Sequence, residues 1–318
     1  MVKISVGAMG RNPMGVTPNF DFAQFLRVCK KHNVRAIDTA RVYPQNEELL
    51  TRAIKANGWE KDFDISTKVM IQGEGSHKRE AILASAKASL EALQLSADQR
   101  PAPIDIYYLH MPDRSTPFEE TCAAVDELYQ QGWFKRFGLS NYSAEEVEKI
   151  HKICTEKGYV RPSAHTCNYN PLVRTAEFEL FPLLRRLGIA CQSFGPLASG
   201  VLVKPIDDLV GPVKANSRME ALPFIQGLYL NDDIVKAVRH LETTCQKLGI
   251  SKQNATLRYM LHHSGLSEDD SIILGASSPE QLESNLAACE GGALDREALK
   301  AFETLWDQVK GRKPKYHT

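Results

Sequence analysis

Short runs of β-branched and aromatic residues alternate with amphipathic stretches along nearly the whole chain, and this alternation restricts the fold more than any other feature. Runs of the strand kind fall at 3–8, 35–40, 63–69, 104–110, 137–141, 163–170, 189–195 and 271–276. Between them, apolar residues recur at i, i+3, i+4 and i+7, as in Phe22, Phe25, Leu26 and Cys29, or Val147, Ile150, His151 and Cys154. About eight βα units with no central linker predict an α/β protein, a (β/α)8 TIM barrel forming a single domain over 1–318. Length alone would suggest about two domains, but barrels of this size commonly form one. An open doubly wound sheet is the second reading. Against a Rossmann-type cofactor mode, Gly73-Glu74-Gly75 lacks the third glycine and the setting of a GxGxxG turn.

Thr116-Pro117-Phe118-Glu119, Ser143-Ala144-Glu145-Glu146 and Ser278-Pro279-Glu280-Gln281 each read as a capping box, two of them with Pro at the first helical position. Two segments exceed the bare repeat. Residues 197–232 form a long loop after strand 7, too long for an ordinary βα connection, and 294–310 predict an extra C-terminal helix. Loops after barrel strands build the active-site face, and the apolar Leu222, Phe224, Ile225, Leu228 and Tyr229 make the long loop a candidate cofactor clamp or lid.

Composition sets few limits on partners. A formal net charge of +0 gives no electrostatic reason to expect nucleic acid or an anionic membrane. No apolar run is long enough to cross a bilayer, and Met1-Val2-Lys3-Ile4-Ser5-Val6-Gly7 lacks the core of a secretory signal. Tyr316-His317-Thr318 matches no common address or lipidation ending. The 7 cysteines stand singly, without CxxC pairs or zinc-type spacing; Cys29, Cys122, Cys154 and Cys245 sit in helical patterns as small apolar residues. Reduced thiols, a cytoplasmic location and no bound metal are the expectations.

Three polar residues stand where a barrel carries its chemistry. Asp38, Lys68 and His110 each close a predicted strand, in the second, third and fourth units. An unpaired buried lysine or carboxylate is costly, so neighbouring strands should bring Asp38 and Lys68 together. Tyr43 follows Asp38 after the short stretch Thr39-Ala40-Arg41-Val42. A free phenol holds its proton to about pH 10, and an adjacent ammonium favours the phenolate. The roles that follow are Tyr43 as proton donor to a carbonyl, Lys68 as the charge that lowers its pKa, Asp38 as the partner of Lys68, and His110 as the group that positions the carbonyl oxygen. Taken singly, a strand-end Asp is as readily a turn former or helix cap, and a His a hydrogen-bonded core residue. Lys68 as a Schiff-base nucleophile in an aldolase-like barrel is a further reading, opposed by the charge-keeping Asp38.

These residues also carry a resemblance. Ile37-Asp38-Thr39-Ala40-Arg41-Val42-Tyr43 with Asn46-Glu47, then Ser66-Thr67-Lys68, then Asp105-Ile106-Tyr107-Tyr108-Leu109-His110 resemble the successive signatures of the aldo-keto reductase superfamily. Met111-Pro112-Asp113 and Ser115-Thr116-Pro117 make the aflatoxin-aldehyde reductase branch the nearest in pattern. The resemblance implies reduction of a small aldehyde or ketone with NADPH, NADH staying open, and it hints at a homodimer. Gly138-Leu139-Ser140-Asn141-Tyr142 is similar to the segment whose Ser and Asn hold the nicotinamide carboxamide. Phe194, Gly195, Pro196, Leu197, Ala198, Ser199 and Gly200 match the segment that stacks on the nicotinamide and wraps the pyrophosphate. Gly275, Ala276, Ser277, Gln281 and Asn285 match the adenosine end, where a loop meets a helix N-terminus.

The pattern is not complete. Thr166 stands where the family usually has a Gln that completes the carboxamide contacts, so weaker or water-bridged binding is expected there. Gly275 and Gln281 stand where many relatives place a Lys and an Arg for a 2′-phosphate; the aflatoxin-aldehyde branch shares that lack, and the resemblance to it implies a loop arginine, for which Arg218 is the candidate. The stretch 224–231 lacks the arginine that the branch tends to offer a substrate carboxylate. Channel-associated subunits of the same superfamily supply an alternative, a cofactor-binding regulator with little turnover.

Overall fold

The computed structural model describes residues 1–9, 20–95, 103–211, 220, 223–312 and 314–318. Eight parallel strands close into a barrel in chain order: β1 (Lys3–Gly7), β2 (Ala36–Asp38), β3 (Asp64–Lys68), β4 (Ile104–Leu109), β5 (Phe134–Ser140), β6 (Pro162–Asn168), β7 (Ala190–Phe194) and β8 (Ser271–Gly275). β8 pairs with β1 from Lys3↔Ser271 to Gly7↔Gly275, which shuts the ring. The (β/α)8 reading thus holds and the open sheet does not.

The main core lies between the sheet and its helices. Helix Phe22–Lys31 begins where the Asp21 carboxylate accepts the Gln24 N–H at 2.8 Å, and it buries Phe22, Phe25, Leu26 and Cys29. Helix Ala144–Lys157 starts with a complete capping box between Ser143 and Glu146 and ends on Gly158 in the left-handed conformation. The other two expected boxes are corrected. The Thr116 hydroxyl donates to Asp113 instead, at 2.7 Å, because that carboxylate also gathers the Ser115 hydroxyl and the Ser115 and His77 N–H groups. Pro117 is therefore the cap residue of helix Phe118–Gln130 and not its first turn. Ser278 does cap helix Pro279–Cys289, with Pro279 in the first turn, but the Gln281 amide oxygen turns back to Ser277.

Two other expectations shift. β5 begins at Phe134, three residues early, since Lys135 and Arg136 break the apolar pattern yet are accommodated by cross-strand carboxylates. Arg136 donates to Asp105 at 2.6 Å, and Lys135 lies 3.8 Å from Asp64. The long loop after β7 contains helical pieces at Ala198–Gly200, Asp207–Val210 and Phe224–Tyr229 before helix Asp232–Lys247. The expected extra helix is Arg296–Val309, which packs against Asp232–Lys247. All seven cysteines are buried and unbridged. Among the described residues no helix is long and apolar enough to cross a membrane.

Inside the barrel a second apolar cluster, Ile106, Tyr108 and Ala164, fills the space beneath the strand ends. Tyr108 is opposite Gly138 in the β4–β5 ladder, and a Cβ at Gly138 would lie 2.2 Å from the Tyr108 Cδ1. Glycine is thus required there by close approach. Gly138→Ala should cost about 3 kcal/mol, the upper range for overpacking a filled core, because neither the ladder nor the enclosed ring can withdraw. A urea midpoint within error of wild type would show that the ring has room to move.

Candidate active site

The strand register brings the first predicted pair together. β2 ends at Asp38, opposite Ser66, and β3 runs two residues further to Lys68. From there the Lys68 ammonium donates to Asp38 Oδ1 at 2.7 Å, to Oδ2 at 2.6 Å and to the Thr39 carbonyl at 2.8 Å. Both side chains are buried. Burial pushes the Asp38 carboxyl up, while the charge and hydrogen bonds of Lys68 pull against it. The ammonium also lies 5.9 Å from the centre of the Tyr43 ring and 5.7 Å from that of Tyr108.

Tyr43 is presented by a turn that polar contacts fix from below. Glu47 is fully buried, accepts the Thr67 hydroxyl at 2.6 Å and pairs with Arg41, whose other nitrogen reaches Glu48 at 2.9 Å. Asn46 donates to the Ala8 carbonyl at 2.7 Å. The polar residues around the tyrosine therefore anchor its loop to β1 and β3.

His110 follows β4 and meets Tyr43 edge-on, ring centres 6.0 Å apart. Burial, then the Lys68 charge, pushes its imidazole down to about 3. Its Nδ1 is buried, with no hydrogen-bond partner among the described residues. Beside it, β5 ends in Ser140 and the turn residue Asn141, whose φ of 66° suits asparagine. Asn141 Nδ2 donates to the His110 carbonyl and to the Ser140 hydroxyl, both at 3.0 Å. Thr166 donates to the same hydroxyl at 2.6 Å. Ser140 Oγ thus accepts twice, leaving its own proton for a further acceptor.

These groups face one cavity of about 740 Å³ at the C-terminal ends of the strands. Its wall includes Asp38, Tyr43, Lys68, His110, Ser140, Asn141 and Thr166. Phe194, Gly195, Pro196, Leu197, Ser199 and Gly200 continue it from the end of β7, and Gly275, Ala276, Ser277 and Gln281 from the end of β8. The loop after β7 is strained: Ala198 and Ser199 hold φ of 47° and 55°. Two predicted residues stand apart. Asn285 is buried outside the wall, where it donates to the Gly275 carbonyl at 3.3 Å and accepts from Gln253 at 2.6 Å. Arg218 lies outside the described residues.

The wall also holds the Ile225, Leu228 and Tyr229 expected of a clamp, together with residues that carry no sequence signal of their own. Val42 and Met111 adjoin Tyr43 and His110 in sequence, Ile71 lies three residues past Lys68, and Ile225, Leu228 and Tyr229 come from the helix Phe224–Tyr229. Asn168 closes β6 as the other polar strand ends close theirs; the expected run 163–170 puts Asn170 at that end instead, two residues beyond the observed one. The Asn168 and Asn170 side-chain amides donate to the Tyr229 hydroxyl at 3.0 and 3.1 Å, which ties the long loop to the sixth unit.

A closed parallel barrel with such a cavity at its strand ends is the architecture of a (β/α)8 enzyme. Residues 3–307 match the profile of the Aldo/keto reductase family. The chain belongs to that family and is an oxidoreductase. An aldo-keto reductase of Pseudocercospora fijiensis is 36% identical, over 90% of this chain and 97% of its own. Human aldo-keto reductase family 7 member A3 is 36% identical over 88% and 87%, and the mouse aflatoxin B1 aldehyde reductase member 2 is 35% identical over 83% and 70%. The resemblance to the aflatoxin-aldehyde branch is therefore carried by whole-chain similarity as well as by motif.

The buried imidazoles bear on acid stability. His110, at about 3, and His77, pushed down to about 4 by burial, are neutral when folded, whereas an unfolded imidazole takes its proton below about pH 6.5. The unfolded chain then binds more protons, so stability should fall as pH drops from about 6.5 toward 4, by about 1.4 kcal/mol per unit for each histidine. Urea titrations across that range should show the decline, with a shallower slope in His110→Asn. An unchanged slope would mean that His110 titrates normally.

Proposed function

We propose that the chain reduces aldehydes and ketones with NADPH, Tyr43 acting as proton donor. The observation that carries this reading is the buried Lys68–Asp38 pair beside Tyr43, with the neutral His110 across the same cavity. When bound, the dinucleotide supplies the hydride. The residues fit such a group: a carboxamide needs one donor and one acceptor, and Ser140 keeps a proton to give while the Asn141 amide oxygen can accept. Phe194 offers a ring to a flat heterocycle, Gly195, Pro196, Leu197, Ser199 and Gly200 a wrapping loop, and Gly275, Ala276 and Ser277 a surface before a helix N-terminus. Arg218 is the proposed 2′-phosphate partner and the ground for NADPH over NADH.

The chemistry follows from the site groups. Among the described residues His110 has no acceptor at Nδ1, which favours its proton on Nε2, from where it donates to the substrate carbonyl oxygen. Tyr43 transfers its proton to that oxygen as negative charge grows there. The Lys68 ammonium stabilises the phenolate left behind, and Asp38 with the Thr39 carbonyl holds the ammonium in place. A lysine so engaged is a poor nucleophile, which weighs against the Schiff-base reading.

Replacing Tyr43 by Phe should lower kcat for 4-nitrobenzaldehyde about 10²- to 10⁴-fold while NADPH binding, followed by fluorescence, persists. Near-wild-type turnover in that variant would assign the proton to another group. The walls contributed by Val42, Ile71, Met111, Ile225 and Leu228 also favour uncharged, apolar carbonyl compounds. Among the described residues the cations of the cavity are Lys68, already paired, and Lys204 in the stretch after Gly200. We therefore expect kcat/KM for 4-nitrobenzaldehyde to exceed that for 4-carboxybenzaldehyde by about tenfold or more, since an unpaired carboxylate is costly to bury. The reverse order would reveal a cation facing the substrate.

A further inference from the structure

Residues 314–318 cross the active-site end of the barrel over the fourth, fifth and sixth units. Tyr316 is only 2% exposed, although it belongs to no helix or strand. Its hydroxyl accepts the N–H of Ala144 at 3.1 Å, satisfying an amide in the first turn of helix Ala144–Lys157. Its carbonyl accepts the N–H of Asn168 at 3.1 Å. Two residues on, the Thr318 N–H reaches the Asn141 carbonyl at 3.4 Å, and the Thr318 carbonyl accepts from Arg114 at 3.0 Å. Arg114 also pairs with Glu146, the acidic member of the Ser143 capping box, at 2.8 Å. At the other end, Thr175 donates to the Pro314 carbonyl.

Both backbone anchors thus belong to cavity residues. Asn141 carries the amide that holds Ser140 and the His110 carbonyl, and Asn168 carries the amide that holds Tyr229. Since a ligand contact must be held to within about 0.5 Å to retain its worth, support at these two positions matters for binding.

We propose that Tyr316 is a positioning residue for the carboxamide end of the cofactor site, and that residues 314–318 act as a brace across β5 and β6. The brace rests on the NADPH reading above, so wild-type binding is measured first; its absence would strike that reading, and the brace with it. The decisive comparison uses NADPH and adenosine 2′,5′-bisphosphate, which probes only the far end of the same cavity.

Deleting 314–318, and separately Tyr316→Ala, should weaken NADPH about tenfold or more and leave the bisphosphate unchanged. Tyr316→Phe keeps the buried ring and the bond to Asn168, and should restore affinity to within about threefold of wild type. Unchanged NADPH affinity in a folded deletion variant would overturn the proposal. So would parallel loss of both ligands, which would mark the segment as general support. Should the deletion fail to fold, Tyr316→Ala and removal of 317–318 carry the test; loss of folding in these too would assign the segment to stability alone.

Discussion

Two opposite charges buried at the top of a narrow barrel constrain everything around them. Lys68 and Asp38 are taken from water, and a separated pair there would leave each charge without solvation; removing one partner of such a pair typically costs 3–5 kcal/mol. Contact depends on β2 stopping at Asp38 while β3 continues to Lys68, and on the Thr39 carbonyl turning inward for the third bond. Below, Tyr108 brings its ring within reach of the ammonium, and that ring fits because Gly138 has no side chain. A glycine in β5 therefore serves a charge in β3, by way of an aromatic in β4.

The cavity above the pair has two chemically different walls. Strand ends β5 and β6 present neutral hydroxyls and amides, suited to a neutral amide, whereas the loops after β2, β3 and β4 add Val42, Ile71 and Met111 beside Tyr43, Lys68 and His110. The long loop completes the apolar side through Ile225 and Leu228, and its position relies on the hydrogen bonds of Tyr229 to Asn168 and Asn170. Strained backbone at Ala198 and Ser199 fits a loop shaped for contact and not for its own stability.

What could be read from sequence was what one dimension encodes. Periodicity placed all eight strands, and the rule that barrel chemistry sits at C-terminal strand ends singled out Asp38, Lys68 and His110 before any geometry. It erred where a local signal met a nonlocal competitor. Lys135 and Arg136 read unlike strand in sequence, and only the fold sets Asp105 on the adjacent β4 and Asp64 on β3 beside them. Thr116 looked like a cap until Asp113 took its hydroxyl. Asn168 obeys the strand-end rule only once β6 is seen to stop there, because the expected run 163–170 places Asn170 at the end. The path of 314–318 across the barrel has no sequence signature, because its bonds are mostly to backbone groups far away in the chain.

Thr166 shows how a departure from a pattern changes meaning once geometry is known. As a shorter residue in place of a glutamine, it reads as a lost contact. In the folded chain its hydroxyl spends its proton on Ser140 at 2.6 Å, and Asn141 donates to the same oxygen. A hydroxyl with both acceptor positions filled has its remaining proton aimed by those two bonds. The direct reach of a long amide is thus exchanged for a serine whose orientation is set before any ligand arrives. Preorganisation of this kind lowers the entropy lost on binding, so a carboxamide met by one fixed donor need not be held more weakly than one met by several mobile ones.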